Sequence, residues 1–458
     1  MRQGPTLTIQ ELAPKLDRFF QLAAPKVADL IQHWNGDSGT PVFTVNGRYT
    51  TRGWTEWTQG FLFGEALLLF DATGDETLLK LGREGTLDHM AHHLTHTGVH
   101  DHGFNNLSTY GNLRRLMLEG RIPHTQAEIQ TCELAIRVSG AVQASRWSRI
   151  AEGGGYIQSF NGPHSLFCDT IRSCRITALA HLLGQVLMGE GDRRINLLAR
   201  TIEHLQSTLK YNVYYGDGRD QYDVPGRVAH ESIFNTADGQ YRCPSTQQGY
   251  SPFSTWTRGQ AWIISGCAEQ LELLEQLDDN QMPSGTSRQE VIAALDRAAE
   301  VTTQHYLQNS AADGIPLWDT GAPNAHRLGE INAAPSDPFN DWEPFDSSAA
   351  AIAAQGFYRL GKLHATRGNP EKAGRYHQCA LRIAFTLFSP PYLSESAQHQ
   401  GLILHSVYHR PNGWDHVPEG HKVPCGESSL WGDYHALELA ALLQRERCQQ
   451  PYFTFFKP

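Results

Sequence analysis

Apolar residues recur along most of this chain at three- and four-residue spacing, the period of a helix with one buried face. Between Thr8 and His33 that face holds Leu12, Leu16, Phe19, Phe20 and Leu30. The same pattern predicts helices over Trp57–Phe70, Glu76–Leu94, Asn105–Leu118, Gln126–Arg146, Asp169–Met188, Arg194–Lys210, Trp256–Leu277, Arg288–Gln308, Asp346–His364, Glu371–Phe388 and Leu430–Arg445. The total is twelve helices. Segments rich in Gly, Pro, Asn and Asp join them, and few strands are expected.

Short aromatic or acidic motifs mark the starts of alternate helices. They are "WTQGF" at Trp57, "HDHGF" before Asn105, "FCDT" at Asp169, "WTRGQAW" at Trp256, "DSSAAA" at Asp346 and "LWGDY" at Trp431. Twelve helices in six hairpins can close into a double ring of alternating inner and outer helices. If the motif-bearing helices form the inner ring, their N-termini converge on one mouth. Backbone N–H groups and helix dipoles there favour an anion. The expectation is an all-α (α/α)6 barrel, one domain over residues 1–458. An open α-solenoid would show a fixed-period repeat, and none is visible.

Composition narrows the functional classes. Of 458 residues, 40% are apolar and 19% charged, a globular balance. A net charge of −10 argues against nucleic-acid binding, yet it leaves room for a locally positive site and an anionic substrate. The eight cysteines form no C-x-x-C pair and read as reduced core residues. Neither a signal peptide nor an apolar run of about 18 residues is present. A cytoplasmic protein without membrane contact is expected, as a monomer or small homo-oligomer.

The candidate chemistry gathers at the motifs. The stretch "HHLTHTGVHDHGF" (92–104) holds five histidines and Asp101. A zinc site is disfavoured, because no Glu base accompanies the histidines as in H-E-x-x-H. Gly98 should also break the helix before His100. His100 or His102 is instead expected to hydrogen-bond near Asp101, with His92, His93 and His96 at the exit of an outer helix. Asp101 and Asp169 form the candidate acid/base pair, with helix capping as the competing role for each. In "STWTRGQAW", Ser254 or Thr255 offers a cap. Trp256, Arg258, Gln260 and Trp262 suit a sugar ring carrying a carboxylate.

In this combination the sequence resembles the unsaturated glucuronyl hydrolases, glycoside hydrolase family 88. The resemblance runs from about Trp54 to Arg445, through "HDHGF", "FCDT", "RGQAW", "DSSAAAIA" and "WGDY". It implies an (α/α)6 barrel with no metal or cofactor. It also implies removal of a 4,5-unsaturated uronic acid from lyase-made oligosaccharides, by hydration of the C4=C5 vinyl ether. Asp169 matches the proton donor, with a pKa raised by burial. Asp101 matches the second essential carboxylate. Trp57, Trp256 and Trp262 match sugar-stacking positions, and His230, Gln248 and Arg258 match polar substrate contacts; His100, beside Asp101, is a further substrate-binding candidate. After the aspartate this chain reads "DTIRS" where the family has D-T-M-M-N. Arg172 is therefore a further candidate, as a fork for an anionic substituent, or else an ion-paired residue between the helix rings. A related unsaturated rhamnogalacturonyl hydrolase and a non-catalytic carbohydrate-binding toroid are the alternatives.

Overall fold

The computed structural model describes residues 6–53 and 56–456. Trp54, where the family resemblance begins, lies outside the described residues. Twelve helical rods account for most of the fold: α1 Ile9–His33, α2 Gln59–Thr73, α3 Glu76–His89, α4 (102–118), α5 Gln126–Ser145, α6 (170–182), α7 Leu197–Tyr211, α8 Thr257–Leu274, α9 Arg288–Gln308, α10 Ser347–Thr366, α11 Pro370–Leu387 and α12 Leu430–Arg447. A π-helical turn at Leu107–Gly111 interrupts α4, and α6 is divided at Cys174. No helix among the described residues is long and apolar enough to cross a membrane.

The even-numbered helices are inner and the odd-numbered ones outer. Every residue of α2 from Gln59 to Asp71 is buried, as is every residue of α12 from Leu430 to Leu443. In α1 only one stripe is buried, including Leu12, Leu16, Phe19 and Leu30. A helix buried on all sides needs neighbours all round. The inner ring supplies them, since α2 packs on α4, α4 on α6, α6 on α8, α8 on α10, α10 on α12, and α12 back on α2. The (α/α)6 barrel read from the sequence is the fold observed. Glycines let backbones meet at the mouth. A Cβ on Gly60 would lie 2.3 Å from the Asn105 carbonyl oxygen, and one on Gly103 would lie 2.1 Å from that of Ser173.

Where the predicted helices overran, local chemistry gives the reason. The segment expected to be helical to Met188 stops at Leu182, because Gly184 turns left-handed at φ 78°. Val186–Met188 then pairs antiparallel with Arg194–Asn196, as a hairpin instead of two helix ends. Glu76–Leu94 likewise ends at His89 and continues as a 3-10 turn over Ala91–Thr95.

Of the two places open to Arg172, the structure takes the ion-paired one, in the barrel axis and not between the rings. Arg172 does not line the mouth. It points into the barrel axis, where it is fully buried, and pairs with Glu269 of α8 at 3.1 Å and Glu438 of α12 at 2.7 Å. It also donates to Gln355 and to His435 Nε2. Arg175 joins the same Glu269 at 2.8 Å, and Arg359 pairs with Glu272 at 3.0 Å. Three residues beyond Asp169 is one turn deeper, and at that depth four inner helices converge on the guanidinium. Its two carboxylates, against the cost of burial, push its pKa above the ordinary arginine value and keep it charged.

Replacing Arg172 by Met should therefore cost stability and leave the mouth unchanged. Breaking a buried ion pair from one side typically costs about 3–5 kcal/mol. The expected result is a lower urea midpoint, with the pH–rate profile and preference among substrates as in the parent. A shifted profile with unchanged stability would return Arg172 to the site.

Candidate active site

The starts of the inner helices surround a cleft of about 560 Å³. Asp101 immediately precedes α4 and Asp169 immediately precedes α6, and both line it. Neither carboxylate caps its helix, so the competing structural role is unused. Asp346 shows the contrast, because it caps α10 through the Ser348 N–H at 3.0 Å. Asp101 and Asp169 are only 8% and 9% exposed, so their surroundings, not bulk water, set their protonation.

His100 stands between them. Its Nε2 lies 3.2 Å from Asp169 Oδ1 and 3.9 Å from Asp101 Oδ1. The Phe160 N–H donates to its Nδ1 at 3.2 Å, so the ring proton sits on Nε2 and is donated to Asp169. Burial lowers the imidazole's pKa and the two carboxylates outweigh it, for a net rise. The Phe160 N–H opposes a second proton, which would have to sit on Nδ1 facing it. The carboxyls are driven apart. Burial raises Asp101, and the Asp169 charge adds to this against the pull of His100. Burial also pushes Asp169 upward, but the His100 hydrogen bond and charge, with His230 and Arg258, outweigh it and leave Asp169 below its usual value. The expected rise at Asp169 is thus not found, and Asp101 carries the raised pKa.

One wall is a stack of rings and one guanidinium. Trp57 lies on Trp431 with centroids 5.3 Å apart and planes 30° from parallel. Arg258 follows, 4.9 Å from the Trp431 ring and 4.6 Å from that of Trp256. The Arg258 donors are largely engaged within the protein. They reach Asp346 at 3.2 Å, Gln248 Oε1 and the Tyr408 carbonyl at 2.8 Å each, and the Val407 carbonyl. Arg258 therefore fixes three segments of the wall, at Gln248, Asp346 and Val407–Tyr408, instead of presenting a free fork to a ligand. Trp262 closes the floor, 5.0 Å from Phe104, with Arg172 on its ring at 5.6 Å.

His230 does not line the cleft surface but packs 4.7 Å from Trp256 behind it. Its Nδ1 accepts the Gln247 N–H at 3.1 Å, and its buried Nε2 has no protein partner. Burial holds its pKa down to about 4, so Nε2–H is a neutral donor awaiting an acceptor. Gln260, read beside Arg258, instead bonds the Gly226 carbonyl and His305 away from the cleft. The proposed caps also differ. Thr255 Oγ1 accepts the Val228 N–H, and Ser254 bonds back to the Ser251 carbonyl.

The histidine-rich stretch diverges. His93 bonds Gln59 at 2.8 Å, and His102 bonds Ser139 at 2.9 Å and the His96 carbonyl at 2.8 Å. Ser173, from the unusual "DTIRS", fastens this region. Its hydroxyl donates to the His100 carbonyl at 2.6 Å and accepts the Gly103 N–H at 3.0 Å. Sequence reasoning passed over Phe104, Phe160, Asn161, Tyr408, His409 and Trp414, all of which line the cleft. The one available signal was "YHRPNGW", an aromatic-rich loop shortly before "LWGDY".

No family model matches the chain. Curated proteins do. The chain is 26% identical over 385 residues to the unsaturated glucuronyl hydrolase of Formosa agariphila, covering 84% of this chain and 78% of that one. It is 25% identical over 421 residues to the unsaturated glucuronyl hydrolase of Bacillus sp. (strain GL1), covering 90% and 92%. The crystal structure of the Bacillus sp. GL1 unsaturated glucuronyl hydrolase superposes with a TM-score of 0.69 at 20% identity, over 94% of this chain and 97% of that one. The chain is similar over most of its length to proteins named unsaturated glucuronyl hydrolases. A further solved relative, described as specific for heparin, superposes at 0.70 with 19% identity, over 95% and 98%. The likeness to the unsaturated glucuronyl hydrolases thus spans the barrel, not one motif.

The opposed carboxyl shifts can be read directly. Carbon-13 NMR titration of the aspartates should find Asp101 above and Asp169 below the ordinary value, titrating as a coupled pair. His100→Ala should raise the lower of the two. An unmoved lower titration would show that His100 does not hold Asp169.

Proposed function

We propose that the protein hydrolyses lyase-made oligosaccharides, releasing the 4,5-unsaturated uronic acid from the non-reducing end by hydrating its C4=C5 double bond. The observation that carries this reading is the pair of uncapped carboxylates, Asp101 and Asp169, around one imidazole at the floor of an aromatic cleft. A curated relative in Streptococcus pyogenes is named an unsaturated chondroitin disaccharide hydrolase, which supports the same substrate class.

The chemistry follows from the substrate's vinyl ether. Asp169 gives its proton to C4, and positive charge develops at C5 beside the ring oxygen. Water adds to C5, and the Asp169 carboxylate takes back a proton. The resulting hemiketal opens, and C1, no longer held in the ring, releases the partner sugar. One carboxyl group thus serves as acid and then as base. Asp169 must be protonated at the start, although the His100 hydrogen bond and charge hold it low against burial. The substrate resolves this, because its carboxylate adds negative charge and its bulk expels water, and both raise the pKa of Asp169. Asp101 holds the sugar, Trp57 and Trp256 flank its ring, Gln248 offers its amide, and His230 supports Trp256 from behind.

Asp169→Asn should remove nearly all turnover, by a factor of about 10² to 10⁴, with binding held within about tenfold. Loss of the ultraviolet absorbance of the conjugated acid is the readout, and residual activity above a tenth of the parent would reject the assignment. Asp101→Asn should be severely impaired through positioning. Exhaustive chelation should leave the rate unchanged, and metal-dependent loss and recovery would overturn this scheme.

A further inference from the structure

Three arginines meet beside the outer helix α7. They line a cavity of about 460 Å³ formed by the 147–157 hairpin, the 186–196 hairpin and the first turn of α7. Arg149 comes from the first hairpin, Arg193 from the turn of the second, and Arg200 from the helix. No residue of this lining also lines the cleft of Asp101 and Asp169.

The fold leaves these charges uncompensated. Among the described residues the three guanidiniums form no ion pair and donate no side-chain hydrogen bond. Burial brings the Arg200 pKa down to about 10, Glu203 opposes this, and the charges of Arg193 and Arg149 add to it. Glu203 is the one carboxylate in the lining, and burial raises its pKa in spite of Arg200. The chain has a net charge of −10, and its other arginines find carboxylates readily, as Arg297 does with Asp217 and Arg367 with Asp296. Cations gathered without partners repel one another, and a bound anion relieves the repulsion.

The cavity also has an apolar wall. Arg200 lies on the Trp147 ring, 3.8 Å from its centre, and this contact fixes the guanidinium. Ile150 and Ile195 add apolar surface to the same lining. A carboxylate offers two oxygens in one plane, which a single arginine fork can serve. Three guanidiniums from three segments suit a tetrahedral oxyanion, with three oxygens pointing outward. The apolar wall suits a ring attached to that group.

We propose that this cavity is a second ligand site, which takes a phosphate or sulfate ester carried on a sugar ring. Arg149, Arg193 and Arg200 hold the ester oxygens, and Trp147, Ile150 and Ile195 receive the ring. The site is independent of the reaction proposed above.

Calorimetric titration of the intact protein at low salt provides the test, with glucose 6-phosphate, galactose 6-sulfate, inorganic phosphate and inorganic sulfate as probes. One sugar ester should bind at a single site, about tenfold or more tighter than its inorganic ion. The tighter of the two esters identifies the source as a phosphorylated or a sulfated sugar. Arg149 and Arg193 are exposed, so the double variant Arg149→Ala/Arg193→Ala should keep the parent's melting temperature. It should also weaken ester binding by about tenfold or more. Asp169→Asn should leave ester binding unchanged. Four results would overturn the site: no saturable binding of either ester, inorganic ions binding as tightly as the esters, unaltered binding in the double variant, or binding lost in Asp169→Asn.

Discussion

Closure of the inner ring is the constraint from which the rest follows. The return of α12 onto α2 gives each inner helix two inner neighbours as well as outer ones. Only then can helices such as α2 be apolar on every side and still be satisfied. Closure also sends six helix starts to one mouth, and there the carboxylates, indoles and Arg258 meet. A site assembled this way draws its residues from sequence positions more than three hundred apart, from Trp57 to Trp431.

The axis of the ring is not an ordinary apolar core. Arg172, Arg175 and Arg359 share it with Glu269, Glu272 and Glu438. Ions in such a place cost much to desolvate, and the arrangement holds because each carboxylate meets a cation. The same network backs the floor of the cleft, since Arg172 lies against the Trp262 ring. The rigidity of the site is thereby tied to the stability of the fold.

Much of this was legible in the sequence. Helical periodicity marked all twelve rods, and motifs at alternate starts marked which of them face inward. Helix ends were less legible, because the turn at Gly184 and the hairpin after it depend on backbone pairing that periodicity does not encode. Arg172 was ambiguous because a residue one turn past a catalytic position can face the mouth or the axis, and only the positions of Glu269 and Glu438 decide. The opposed shifts of Asp101 and Asp169 were invisible, because they depend on an imidazole nitrogen being 3.2 Å from one carboxylate and 3.9 Å from the other. Its tautomer depends in turn on the Phe160 backbone. The internal bonding of Arg258 was invisible for the same reason, since its partners Val407 and Tyr408 lie about 150 residues away.

The filled axis has a topological consequence. With Arg172, Glu438 and Trp431 fully buried along it, the described residues leave no passage from end to end. Whatever enters at the mouth must therefore also leave by the mouth, so entry and release share one opening.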